Sequence, residues 1–217
     1  MPRPWTRRLK RLMVVFFILS MPLSVLGNCE NIPVTRGYLD NFRGSFKMPT
    51  FATINRNLGL GTHPYLQVLP GALQSPGMRR IVPDPEARAA FVRDARVRIA
   101  MTPDYAHIDD KAGVIVVSWW YYHLGDNLDL YLDLLHELTH IRQLKEGKDL
   151  WDASRSYADR PTEIEGYAVA TEEGRRLGMT EERLQAHLHN PWMTEDDVKR
   201  LRASMDALFV AQPLPAQ

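Results

Sequence analysis

Leu128-Asp129-Leu130-Tyr131-Leu132-Asp133-Leu134-Leu135-His136-Glu137-Leu138-Thr139-His140-Ile141-Arg142-Gln143-Leu144-Lys145 is the stretch that decides how this chain folds. Leu128, Tyr131, Leu134, Leu135, Leu138 and Ile141 recur at helical spacing, which predicts one amphipathic helix with that stripe against a core. Asn127 is the expected N-cap. Asp129 and Asp133 follow in the early turns, where the helix dipole favours negative charge, and Gly147 is the expected C-cap. Within the helix, His136 and His140 stand four residues apart on one face, on a different stripe from the apolar residues. Two neutral ring nitrogens at that spacing can bind one Zn²⁺. The carboxylate of Glu137 between them can then take a proton from water on the metal's open side. Glu137 lies about 100° round from His136, beside the apolar stripe, where a buried carboxylate costs free energy unless something pairs with it. At ordinary composition HExxH arises by chance in under about one percent of chains this long, so a site outweighs a surface helix that happens to carry two histidines.

A catalytic zinc wants three protein ligands and one open position. The candidates lie in Arg160-Pro161-Thr162-Glu163-Ile164-Glu165-Gly166-Tyr167, which reads as the start of a second helix running from about Asp159 or Pro161 to Arg176, with Gly178 as its stop. A glutamate in its first turn approaches the histidine pair if the two helices pack face to face.

An HExxH helix followed by a glutamate-bearing helix resembles the gluzincins, the zincin metallopeptidases that take their third ligand from a following helix. The resemblance covers about 40 residues, Leu134 to Gly174. In several gluzincin families the ligand glutamate is followed by Ala and Asp at the third and fourth positions. That register selects Glu163, with Gly166 and Tyr167 where Ala and Asp stand. The usual aspartate supports a ligating histidine, so Tyr167 in its place leaves Glu165 as the alternative. The resemblance implies an α+β, zincin-like fold: a small sheet packed on the HExxH helix, with further C-terminal helices. It implies Zn²⁺ held by His136, His140 and Glu163, with Glu137 as the base that opens a peptide bond. It also implies a sheet edge that pairs with an extended peptide or protein substrate, for which Val114–Ser118 is the candidate strand, an inner position being its alternative.

Other residues carry weaker expectations. Tyr157 and Arg155, in the loop between the two helices, are types that donate to a developing oxyanion, though loop packing and solvated charge account for them better. His123 closes the run Trp119-Trp120-Tyr121-Tyr122-His123, whose aromatics either line a cleft or cover the core; it is a candidate transition-state donor. His187 and His189 are two apart, do not share a helix face, and read as surface polar residues. Upstream, Asp84-Pro85-Glu86 opens a helix to about Asp94, Arg96–Met101 alternates as a strand, and 104–111 reads as a hairpin loop or longer connection. Thr180 and Thr194 open two later helices.

The N-terminus has a basic start and an uncharged run from Leu12 to Gly27, interrupted by Pro22. This is the pattern of a secretory signal peptide or short membrane anchor. Leu26-Gly27-Asn28-Cys29 resembles a bacterial lipobox, which makes Cys29 a candidate lipidation site and gives a second route to the membrane. Cys29 is the sole cysteine, so neither an internal disulfide nor a cysteine-based zinc site is available. Of 27 basic residues five precede Asn28, where no acidic residue lies; residues 28–217 therefore hold 22 basic against 26 acidic, and no nucleic-acid footprint is expected.

The expected organisation is a signal peptide or anchor over 1–27 and an irregular N-terminal region of the same domain over 28–83. A zincin-like metal-binding domain follows over 84–210, then a tail over 211–217. The expected function is an exported or membrane-associated zinc metallopeptidase. The alternative is a non-catalytic envelope protein whose zincin-like site is structural or vestigial and serves assembly or binding. A hydrolase of another amide, such as a cell-wall peptide, uses the same chemistry.

Overall fold

The computed structural model describes residues 48–190 and 192–211. The expected targeting segment 1–27, Cys29 and the end of the tail lie outside the described residues. The chain is α+β, with one mixed four-stranded sheet and helices. After a 3₁₀ turn at Thr50–Ala52 come β1 (Gly61–Pro64), α1 (Tyr65–Val68), a 3₁₀ turn at Ala72–Gln74, α2 (Pro76–Ile81) and α3 (Pro85–Asp94). Then follow β2 (Arg96–Ala100), β3 (Ala106–Asp109), β4 (Val114–Ser118), α4 (Trp119–Leu124) and α5 (Asn127–Lys145). A 3₁₀ turn at Tyr157–Asp159 leads to α6 (Pro161–Arg176), α7 (Glu181–Leu188) and α8 (Glu195–Ala211). No helix among the described residues is long and apolar enough to cross a membrane.

The sheet order is β1-β2-β4-β3. β1 runs antiparallel to β2, β2 parallel to β4, and β4 antiparallel to β3. β4 is therefore an inner strand, and Val114–Ser118 has no free edge. The physical reason is visible in its side chains: Ile115, Val116, Val117 and Ser118 are all buried, so both faces are covered. β2 alternates instead, with Val97 and Ile99 inward and Arg96 and Arg98 half-exposed. The free edge next to α5 belongs to β3, inside the segment expected to be a loop. A turn closes β3 onto β4, with Gly113 at φ 64°, its N–H on the Asp109 carbonyl, and the Ala112 N–H on Asp109 Oδ1.

α5 is the centre of the molecule. Its cap is Asp126 rather than Asn127: Asp126 Oδ1 accepts from the N–H groups of Leu128 (2.7 Å) and Asp129 (2.9 Å). The Asn127 amide oxygen is taken by Arg56, whose guanidinium also reaches the carbonyls ending α4. The helix is buried on almost every side, not on one face. Leu130 and Leu132 are as inaccessible as Leu134, Leu135 and Leu138. Each such leucine stabilises by roughly 1.5–3 kcal/mol on burial, against about 1 kcal/mol for a cap. Packing therefore decides where the histidines point, and a one-residue change of cap leaves them in place. The helix ends in a Schellman motif, with Gly147 at φ 75°, its N–H on Leu144 O and the Lys148 N–H on Gln143 O.

α6 packs along α5, and α8 packs on α6 through a second small core of Tyr167, Ala168, Leu188, Met193, Val198, Leu201 and Met205. α7 is pinned to α5 by charge. His187, expected at the surface, has a side chain only 5% exposed, with Nδ1 3.3 Å from Asp129 Oδ1 and Nε2 3.5 Å from Asp133 Oδ1. Arg183 also reaches Asp129, and Tyr121 donates to Asp133. Burial alone would lower the His187 pKa, but the two aspartates outweigh it and raise it. A histidine whose folded pKa exceeds its unfolded value of about 6.5 stabilises fully below that pH. That contribution is lost as pH rises through the folded pKa. Denaturant midpoints measured at pH 6 and pH 9 should fall further in the wild type than in His187→Gln; equal falls would remove His187 as the cause.

Candidate metal centre

Three polar side chains from α5 and α6 converge in the interior. His136 Nε2 and His140 Nε2 lie 2.9 Å apart, and Glu163 Oε2 lies 3.4 Å from the first and 3.5 Å from the second. All three residues are buried, and together they can hold one metal ion. Ligand atoms bound tetrahedrally to zinc at about 2.0–2.1 Å are separated by about 3.3 Å. The observed triangle is near that size. Glu163 Oε2 is also a buried oxygen without a hydrogen-bond partner. A buried carboxylate oxygen left unpaired 3.4–3.5 Å from two imidazole nitrogens is poorly placed for hydrogen bonds and well placed to share a cation with them.

Local structure explains the convergence. The helical repeat brings the rings of His136 and His140 to a centroid separation of 4.5 Å, edge to face. Pro161 occupies the first turn of α6, which puts Glu163 in that same turn, where the helix dipole favours a carboxylate. Gly166 lets α6 approach closely: a Cβ there would stand 3.0 Å from both Cε1 and Nδ1 of His136. Tyr167 lays its ring on His136 with centroids 4.3 Å apart. It does not replace the aspartate that the gluzincin pattern offers, and His136 Nδ1 is buried without a hydrogen-bond partner.

Glu165 faces away from the triad. Its carboxylate takes hydrogen bonds from Arg142 Nη2 (2.5 Å), Gln143 Nε2 (2.7 Å) and Lys148 Nζ (3.2 Å). The structure thus brings Glu163, and not Glu165, to the histidine pair. His123 is not brought there either: it packs on the rings of Trp119 and Tyr122 at centroid distances of 4.6 and 5.0 Å. Arg155 pairs with Asp152 on the surface. Tyr157 does lie by the site. Its hydroxyl is 2.9 Å from that of Tyr167, which also accepts from Asn190, and Trp192 covers its ring edge-on.

Burial is the largest influence on the ionisable groups here. Burial raises the Glu137 carboxyl to about 8, and nearby Glu163 and Asp133 push in the same direction. Glu137 is 9% exposed, and no hydrogen bond among the described residues engages its carboxyl. A cation bound at the triad would draw that pKa down again. Burial, then the neighbouring His140, lowers the His136 imidazole. Burial would raise Glu163, but the two facing imidazoles outweigh it and hold the carboxyl well below the usual range. Burial first, then Tyr167 and Glu163, keep the Tyr157 phenol protonated far above neutral pH.

Gln143 was not among the expected site residues. Its Oε1 is 2.7 Å from His140 Nδ1. The signal was present in the sequence: Gln143 is a polar residue three positions after His140, on the same face of the helix. Comparison with family models, with curated proteins and with solved structures finds no match to this chain.

Proposed function

We propose that this protein is a zinc-dependent hydrolase of peptide bonds with a zincin-like arrangement, working outside the cytoplasm or at a membrane surface. The observation that carries the reading is the buried triangle of His136, His140 and Glu163, with Glu137, whose carboxyl no hydrogen bond among the described residues engages, beside it. A purely structural metal site has no use for a buried glutamate at that position. The basic and then apolar N-terminal sequence supports export or anchoring.

His136, His140 and Glu163 would hold the ion. When bound, zinc supplies Lewis-acid polarisation of the scissile carbonyl and brings the attacking water toward a pKa of about 7. Glu137 accepts that water's proton and delivers it to the leaving amine. Tyr157 keeps its proton at working pH and can donate it to a developing oxyanion. An extended substrate would pair along β3, the edge strand beside α5; Asp104, just before β3, is close enough to Glu137 for its charge to act there.

Metal analysis of the purified chain should find about one zinc per chain, and a chelator should abolish peptide hydrolysis until zinc is returned. A chain free of zinc after purification and reloading would end the proposal. Gly166→Ala should weaken zinc binding by roughly 10–100-fold, the scale at which supporting contacts act, because the new methyl displaces the His136 ring. Competition against a chromogenic chelator reads this directly; unchanged affinity would mean that the ring does not need the space.

A further inference from the structure

The Gln143 amide is wholly inaccessible to solvent, and every contact it makes has a direction. Its Nε2 donates to the Thr162 carbonyl (3.1 Å) and to Glu165 Oε2 (2.7 Å). Both partners can only accept, so the amide cannot be turned over: that would set its oxygen against a carbonyl and a carboxylate. Oε1 must therefore face His140 Nδ1, 2.7 Å away, and an oxygen there accepts only if Nδ1 carries the proton. Nε2 is then left with its lone pair, aimed at Glu163 and His136. With the opposite tautomer a hydrogen on Nε2 would occupy the place where a cation must sit.

Glu165 anchors this chain. Two cations hold its carboxylate: Arg142, one residue before Gln143 on α5, and Lys148, placed by the Schellman motif that ends the same helix. We propose that Gln143, oriented by Glu165, is the positioning residue that fixes the tautomer of His140 and so prepares the site for its metal. The two glutamates of Glu163-Ile164-Glu165 then divide one task. Glu163 faces the ion, and Glu165 acts on it through one amide and one imidazole. The inference rests on the proposed metal site and deepens it.

The test is zinc affinity by chelator competition, with the thermal midpoint of the metal-free form as control for folding. Gln143→Met keeps the volume and loses the hydrogen bonds, and should weaken zinc by about 10–100-fold. In the zinc-loaded wild type the His140 Nδ1 proton should be protected from solvent exchange; Gln143→Met should remove the protection. Equal affinity in wild type and Gln143→Met overturns the assignment, as does a His140 Nδ1 proton that exchanges as freely in the zinc-loaded wild type as in Gln143→Met. A wild-type chain that takes up no zinc removes the site itself, which separates failure of that reading from failure of this one.

Discussion

Glu137→Gln is expected to keep its zinc and lose peptide hydrolysis by about 10²–10⁴-fold, the range that a positioned general base contributes. The substitution is nearly isosteric and replaces a carboxyl with an amide that cannot accept a proton. Glu137 is not one of the three converging donors, so metal affinity should stay close to that of the wild type. Stability of the metal-free protein should hold or rise. Burial opposes ionisation of Glu137 and raises its carboxyl to about 8, and the amide carries no such charge. The sign follows from linkage: a carboxyl whose folded pKa lies above its unfolded value of about 4.3 costs stability progressively as pH rises between the two. Metal content and turnover measured on one preparation decide the matter. Full turnover by a zinc-loaded Glu137→Gln would falsify the base assignment, whereas a zinc-loaded wild type without turnover would favour a structural or vestigial site used for assembly or binding.

Glu163→Ala and Glu165→Ala should separate by the size of their effects. The first removes one of three donors from a buried site and leaves two imidazoles without the carboxylate they face. Its zinc affinity should fall well beyond the roughly 10–100-fold that loss of an outer partner costs. Glu165→Ala leaves all three donors and slackens only the support behind Gln143, so its loss should stay within that lower range. Glu165→Ala is also the milder change for folding, because its carboxylate lies 29% exposed among cations on the rim. Competition titrations of the two variants, with their metal-free thermal midpoints, give the comparison. A Glu163→Ala variant that binds as tightly as wild type would remove Glu163 from the metal, and a Glu165→Ala variant that loses as much as Glu163→Ala would overturn the division of roles between them.

Much of the frame around the site was legible. The limits of α6 follow from Pro161 and Gly178, and those of α3 from Asp84, whose side chain accepts from the Ala87 N–H at 2.7 Å. These signals are local: a missing N–H, a positive φ, a side chain that reaches three residues on. β4 was harder to place. Val114-Ile115-Val116-Val117 is an unbroken apolar run, the pattern of a strand covered on both faces, and that reading competes with a free edge until its neighbours are known. β3 was hidden because Ala106-His107-Ile108-Asp109 is short and polar, and only pairing with β4 makes it a strand. His187 was misjudged because spacing along α7 says nothing of Asp129 and Asp133, which stand one turn apart on α5 and enclose it.

The chain's own order of residues determined the histidine pair and its intervening carboxylate, because a helical repeat of 3.6 residues places i and i+4 together wherever the helix lies. It also offered two glutamates as candidates for a third donor. Those two stand about 200° apart around α6, so only one can reach the histidine pair. Which one does depends on how α6 is rotated against α5. That rotation is set by Gly166 against His136 on one side and by Gln143, Arg142 and Lys148 around Glu165 on the other. Those contacts lie up to 30 residues apart in the chain and exist only once the two helices have packed.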